Sequence, residues 1–245
     1  MWTYLLIFLS ALALIFIFIR RAVLFYRKRH EGEKEKVELT GEEDLPDKKR
    51  LKKEEKFQVE DMYQKGAALA DKGKEDDAIK YFVQVLTVDP VHVSTQEKLA
   101  MLYMQKKMFN AASALYRQLI SLTEDARHYS HLGLSLYQQN EHEQARDAYQ
   151  KAVDLDPKKA NRFVSLSQVY RAMDQGQNAI IALNKALELE KAVDSLLLLA
   201  DLQIDNGYFE EARENLKKVL EVDEERAEDV KILAKKLRKV EKESL

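Results

Sequence analysis

His128 and His131 stand three residues apart in "ARHYSHLGL", close enough on one helical turn to share a metal ion. A bound metal needs more ligands than two imidazoles. The chain has no cysteine, and no aspartate or glutamate sits at a matching position on that face, so both read as exposed helix histidines. The lack of cysteine also removes disulfides, thiolate metal sites, iron–sulfur clusters and a thiol nucleophile. Other chemistry leaves no better trace. There is no glycine-rich phosphate loop, no Gly-x-Ser-x-Gly elbow and no His-Glu-x-x-His pair. The acidic residues fall on solvated faces and at helix starts, where they complement the positive end of the helix dipole. No catalytic residue, cofactor or metal is expected, and the chain reads as something other than an enzyme.

What the residues do carry is a period. "ARDAYQKAVDLDP" (145–157) echoes "AIKYFVQVLTVDP" (78–90), and the echo belongs to a longer series. Ala78, Ala112, Ala145, Ala179 and Ala212 recur at spacings of 34, 33, 34 and 33 residues. Twelve residues before each stands a small residue: Gly66, Ala100, Gly133, Ser167 or Ala200. Four after each stands a large one: Phe82, Tyr116, Tyr149, Leu183 or Leu216. Seven after come Val85, Leu119, Ala152, Ala186 and Val219. Such a series describes helical hairpins. Two small positions let paired helices approach closely, and the large side chain fills the gap beside them. Turn-forming stretches ("DKGKEDD", "QKKMFN", "QQNEHE", "MDQGQN", "DNGYFE") separate the halves, and Asp-Pro at 89–90 and 156–157 ends the second helix. One hairpin cannot bury its apolar face alone, so units stack into a solenoid. The composition agrees: only 7 glycines and 3 prolines against 46% hydrophobic and 33% charged residues suit an amphipathic helical chain. The net charge of −2 is too balanced to imply nucleic acid.

The pattern resembles the tetratricopeptide repeat, with "HLGLSLYQQNEHEQARDAYQKAVDLDP" (131–157) its nearest copy. The resemblance implies an all-α, right-handed superhelical solenoid of five hairpins at 59–92, 93–125, 126–159, 160–192 and 193–226. The second, fourth and fifth units lack the closing proline, with Glu124, Lys191 and Glu224 in its place. It also implies a concave groove lined by the first helix of each unit, which binds a protein or peptide. The inward positions would be Tyr63 and Ala67, then Met101 and Met104, then Arg127, Ser130, Leu134 and Tyr137. Val164, Gln168 and Arg171 would follow, then Asp194, Leu197, Asp201 and Ile204. The result is an apolar centre rich in methionine and tyrosine, two arginines in the middle and an acidic C-terminal end. Some family members clamp a chain-terminal carboxylate; the matching places hold Tyr63, Ala67, Lys98, Arg127 and His131. Only Arg127 and, loosely, His131 suit that task.

The ends of the chain differ from the repeats. Residues 1–19, "MWTYLLIFLSALALIFIFI", carry no charged side chain and would span roughly 28 Å as a helix, against about 30 Å of bilayer hydrocarbon. With no basic start and no cleavage box, residues 1–26 are expected to be a single-pass membrane anchor rather than a signal peptide. Arg20, Arg21, Arg27, Lys28 and Arg29 follow the span, which places the N-terminus outside and the repeats in the cytoplasm. The same cluster is positioned to contact anionic lipid. Residues 27–57 alternate Glu and Lys around Pro46 and read as a solvated linker, with a short helix possible before Phe57. Residues 227–245 place Val230, Leu233, Leu237 and Val240 on one face and read as a capping helix. The layout resembles bacterial inner-membrane tetratricopeptide assembly proteins, though not the four-cysteine lipopolysaccharide type. The expected function is therefore a membrane-anchored scaffold that recruits a cytoplasmic partner. The alternative is a mitochondrial outer-membrane receptor whose acidic end (Asp194, Asp201, Asp205) would bind basic presequences.

Overall fold

A computed structural model describes residues 51–244. The expected membrane helix, its basic flank and most of the linker lie outside the described residues. Among the described residues the chain forms eleven α-helices and no strand. The hairpins are α1 (Lys53–Asp71) with α2 (Glu75–Val88), α3 (Val93–Gln105) with α4 (Phe109–Leu122), and α5 (Ala126–Gln138) with α6 (His142–Leu155). They continue as α7 (Ala160–Ala172) with α8 (Gly176–Leu189) and α9 (Val193–Asp205) with α10 (Phe209–Val222). A short 3-10 turn, Glu224–Arg226, leads into α11 (Ala227–Glu243). The first helix starts at Lys53, inside the stretch expected as linker, because its lysines and glutamates are good helix formers. Each helix packs on its neighbours in sequence.

The periodic positions are the core. The five register alanines, and the residues seven after them, are fully buried. A Cβ at Gly66 would stand 2.8 Å from the Phe82 ring, and one at Gly133 would stand 2.8 Å from the Tyr149 ring. These two glycines therefore exist to let the aromatic four residues past the alanine seat against the first helix of its own hairpin.

Every turn inside a hairpin is built the same way. Gly73, Lys107, Asn140, Asp174 and Gly207 each take a positive φ. The N–H one residue on reaches back to a carbonyl in the last turn of the first helix: Lys74 to Leu69, Met108 to Tyr103, Glu141 to Leu136, Gln175 to Tyr170 and Tyr208 to Gln203, at 2.8–3.0 Å. The positive-φ residue donates to the next carbonyl, as Asn140 does to Tyr137 at 3.0 Å. This pair of bonds is the Schellman motif, which satisfies carbonyls a helix end leaves unpaired. Two of the five are glycines; the other three hold the conformation with side chains attached.

At the far end α11 covers the fifth hairpin. Val230 packs with Ala200, Leu216 and Val219, and Leu237 packs with Ile204 and Ala212. The capping face expected from Val230, Leu233, Leu237 and Val240 is the face that docks.

Candidate functional site

The first helices of the units (α1, α3, α5, α7, α9) carry the residues expected to line a groove, and the structure sorts them into three groups. Met101, Arg127, Leu134 and Gln168 are exposed on α3, α5 and α7. Tyr63, Ala67, Met104, Ser130, Tyr137, Val164 and Leu197 are half-buried. Tyr63 leans on Phe82 and His92, with ring centroids 6.0 and 5.4 Å away, and Tyr137 leans on His142 at 5.4 Å, so both spend much of their surface on packing. Ile204 is fully buried under α11 and faces no ligand. Helical spacing alone could not foresee this, because the residue covering it comes from a different element.

The acidic end is present but internally matched. Arg171 reaches Asp201 at 2.7 Å and Asp205 at 2.8 Å. Lys236 on α11 reaches Asp201 at 2.5 Å and also pairs with Asp205. Asp194 pairs with Arg226 at 2.5 Å. Burial alone would raise the Asp201 carboxyl, but hydrogen bonds from Lys236 and Arg171 outweigh it and leave its pKa below the usual carboxylate range. This cluster clasps α7, α9 and α11 together and offers little free negative charge.

Of the histidine pair, His131 is exposed as expected and His128 is not. His128 is buried, not exposed: its Nε2 lies 2.7 Å from Glu97 Oε1 on α3, and its Nδ1 lies 3.0 Å from Thr123 Oγ1. The missing carboxylate of the sequence reading thus arrives from the preceding unit, 31 residues away, and both ring nitrogens are used in tying the units together. His131 lies flat on the Tyr116 ring, centroids 5.2 Å apart, and the covering of its ring lowers its pKa, helped by the nearby His128 and Arg127. Among the described residues no group of three metal-ligating side chains converges.

Two clefts open between first helices. The larger, about 420 Å³, lies between α5 and α7 over Tyr149 and is lined by Arg127, Ser130, His131, Leu134, Lys159, Asn161, Arg162 and Ser165. Arg162 is held by the Asp156 carboxylate at 2.6 Å, by the Asp156 carbonyl at 2.7 Å and by Ser130 Oγ at 3.2 Å. Arg127 grips Asp125, the N-cap of α5, at 2.7 Å, and that contact draws the Asp125 pKa down to about 2. Burial pushes the Tyr149 phenol up to about 12. A smaller cleft of about 100 Å³ between α3 and α5 shares Arg127 and His131 and adds Met101, Tyr116, Glu97 and His128. Of these lining residues, Glu97, Lys159, Asn161, Arg162 and Ser165 are not expected from the sequence. Lys159, Asn161 and Arg162 sit at the start of α7, and Glu97 and Ser165 lie beside, not at, the inward helical positions.

Known proteins match this arrangement unit by unit. Two models described as tetratricopeptide repeat cover residues 126–159 and residues 62–92, 93–125, 160–192 and 193–226. No curated protein is similar enough to count as a match. Among solved structures, one titled as the MamA protein is 28% identical, with a TM-score of 0.66 over 69% of this chain and 94% of that one. A MamA fragment from Desulfovibrio magneticus RS-1 is 30% identical, with a TM-score of 0.52 over 54% of this chain and 76% of that one. YrrB, titled a TPR protein with an unusual peptide-binding site, shares the fold at 16% identity, with a TM-score of 0.62 over 71% and 90% of the two chains. Five hairpins of one register, one shared turn geometry and a family match to every unit carry one conclusion: the chain belongs to the tetratricopeptide repeat family.

Proposed function

We propose that this chain is a membrane-anchored scaffold that recruits a protein or peptide segment to the bilayer through the face built by α1, α3, α5, α7 and α9. The observation that carries the reading is the exposure of Met101, Arg127, Leu134 and Gln168 on three consecutive first helices, beside two clefts. Apolar and cationic side chains left open on packed helices, with their backbones satisfied, are positioned for a partner rather than for the core. Anchoring rests on the uncharged residues 1–19 and the basic residues that follow them. It places the array in the cytoplasm, at an inner membrane. The receptor alternative needs a free acidic surface at the fifth unit, and Asp194, Asp201 and Asp205 are each already paired with a cation of this chain. The scaffold reading is therefore preferred.

The test is a crosslinking pulldown with the full chain and with a Met101→Glu, Leu134→Glu variant. Both positions are exposed, so the variant is expected to keep its helical signal and lose the specific partners. An unchanged partner set from a folded variant would overturn the groove reading. Protease protection tests the topology separately: repeats digested from the non-cytoplasmic side would refute it.

A further inference from the structure

The α5–α7 cleft differs in charge from the rest of the face, and the difference points to the chemistry of the partner. The α5–α7 cleft is lined by Arg127, Lys159 and Arg162 together with the donors Ser130, Asn161 and Ser165, and no acidic side chain lines it. Its two arginines are not free to leave. Arg162, 7% exposed, is fixed by Asp156 and Ser130, and Arg127 is fixed by Asp125. Those carboxylates neutralise the guanidiniums while holding them as a wall. Lys159 makes no ion pair among the described residues, so it supplies the surplus positive charge. It stands at the cap position of α7, which no side chain caps, and the positive end of that helix dipole adds to the field. Leu134 and the Tyr149 ring give the floor an apolar patch suited to methylene groups.

The adjoining α3–α5 cleft has a different character. Met101 is open there, and the Tyr116 hydroxyl, buried with the ring, has no hydrogen-bond partner among the described residues. The two clefts meet at Arg127 and His131. An extended segment laid across them would meet an apolar seat first and a cationic one next. A cleft of similar size between α9 and α11 offers no such seat, because Asp201 and Asp229 line it and its cation, Arg226, is paired with Asp229 and Asp194.

We propose that the α5–α7 cleft takes an acidic side chain of a partner segment, with the α3–α5 cleft taking a neighbouring apolar side chain. This rests on the groove reading above and gives that groove a preferred ligand chemistry. It differs from the family's chain-end clamp, whose places here are Tyr63, Ala67, Lys98, Arg127 and His131: only the last two line this cleft, and its surplus charge comes from Lys159, outside those places.

The test is fluorescence anisotropy on the full chain with end-blocked, dye-labelled peptides of alternating leucine and glutamate. Glutamine and lysine versions serve as comparisons, and blocking the ends removes any chain-terminal carboxylate. The glutamate peptide is expected to bind at low salt, to weaken as salt screens the cleft, and to bind about tenfold or more tighter than either comparison. Lys159→Glu should abolish that preference. Lys158→Glu, the same charge change one residue away and outside the lining, should leave it. Equal binding of all three peptides, no binding of the glutamate peptide at low salt, or equal effects of the two lysine variants would each overturn the proposal. If the glutamate preference survives Lys159→Glu while binding is lost in Met101→Glu, the groove stands and the cationic seat at Lys159 falls. If the pulldown finds no partner tied to Met101 and Leu134, the groove reading itself fails.

Discussion

Lys107 carries φ 57° at the turn between α3 and α4, a left-handed backbone that a side chain with a Cβ adopts only at a cost. Its counterparts in the first and fifth units are Gly73 and Gly207, which pay no such penalty, and in the third unit it is Asn140, a residue that tolerates this region better than lysine. Lys107→Gly should therefore relieve strain of about 1 kcal/mol, partly offset by the extra freedom glycine has in the unfolded chain. We expect a net gain of several tenths of a kcal/mol and a small rise in melting temperature. A fall would mean that the lysine side chain contributes more than the turn strains. Part of this was legible in the sequence. Gly73 and Gly207 announce a turn by type, whereas Lys107 and Asp174 reveal themselves only through their place in the 33- to 34-residue register. The same limit hid His128, whose type and spacing suggested an exposed helix face. Burial of its ring depends on Glu97, a neighbour in space and not in the helix.

At the scale of elements, the packing of each hairpin was readable and the partners of charged side chains were not. Small, large and alanine positions specify how two consecutive helices meet, because their spacing is local. Hydrogen bonds and ion pairs join one unit to the next: Glu97 to His128, Arg171 to Asp205, Asp194 to Arg226 and Asp201 to Lys236 lie 31 to 35 residues apart. In a solenoid, positions about one period apart are neighbours, and that rule is the signal which would have found them. The last of these pairs makes α11 more than an apolar lid. The Asp201 carboxylate, with its pKa lowered by Lys236 and Arg171, stabilises the fold in its charged form. That contribution is fully present above the unfolded value near 4 and is lost as pH falls through the lower folded value. Asp201→Asn should cost about 1 kcal/mol at neutral pH, discounted for the solvent that still reaches the pair. Denaturant melts across pH should show the gap between wild type and variant closing as pH falls below the unfolded value near 4. A gap that persists at low pH would assign the loss to packing instead of charge.

Across the whole array, each hairpin touches only the units beside it, so stability is a sum of unit terms and interface terms. A lesion in the middle should then act differently from one at the end. Ala145 is fully buried at the centre of the third hairpin, one helical turn before Tyr149, whose ring makes the close approach to Gly133. Ala145→Leu would force three extra heavy atoms into this filled interior, at about 1–3 kcal/mol. Because α5 and α6 join the second unit to the fourth, the weakened hairpin should divide the array. Amide exchange would accelerate most in α5 and α6, next in α4 and α7, and least in α1, α2 and α10. The matching change at Ala212, also fully buried, should confine its effect to α9, α10 and α11, leaving the groove clefts protected. The acidic-peptide subsite spans α5 and α7, so the central variant should also lose peptide binding at temperatures where the terminal variant keeps it. Uniform loss of protection along α1–α11 in both variants would contradict nearest-neighbour coupling. It would mean that the array folds as one cooperative block, in which a partner bound at the third and fourth units stabilises every other unit equally.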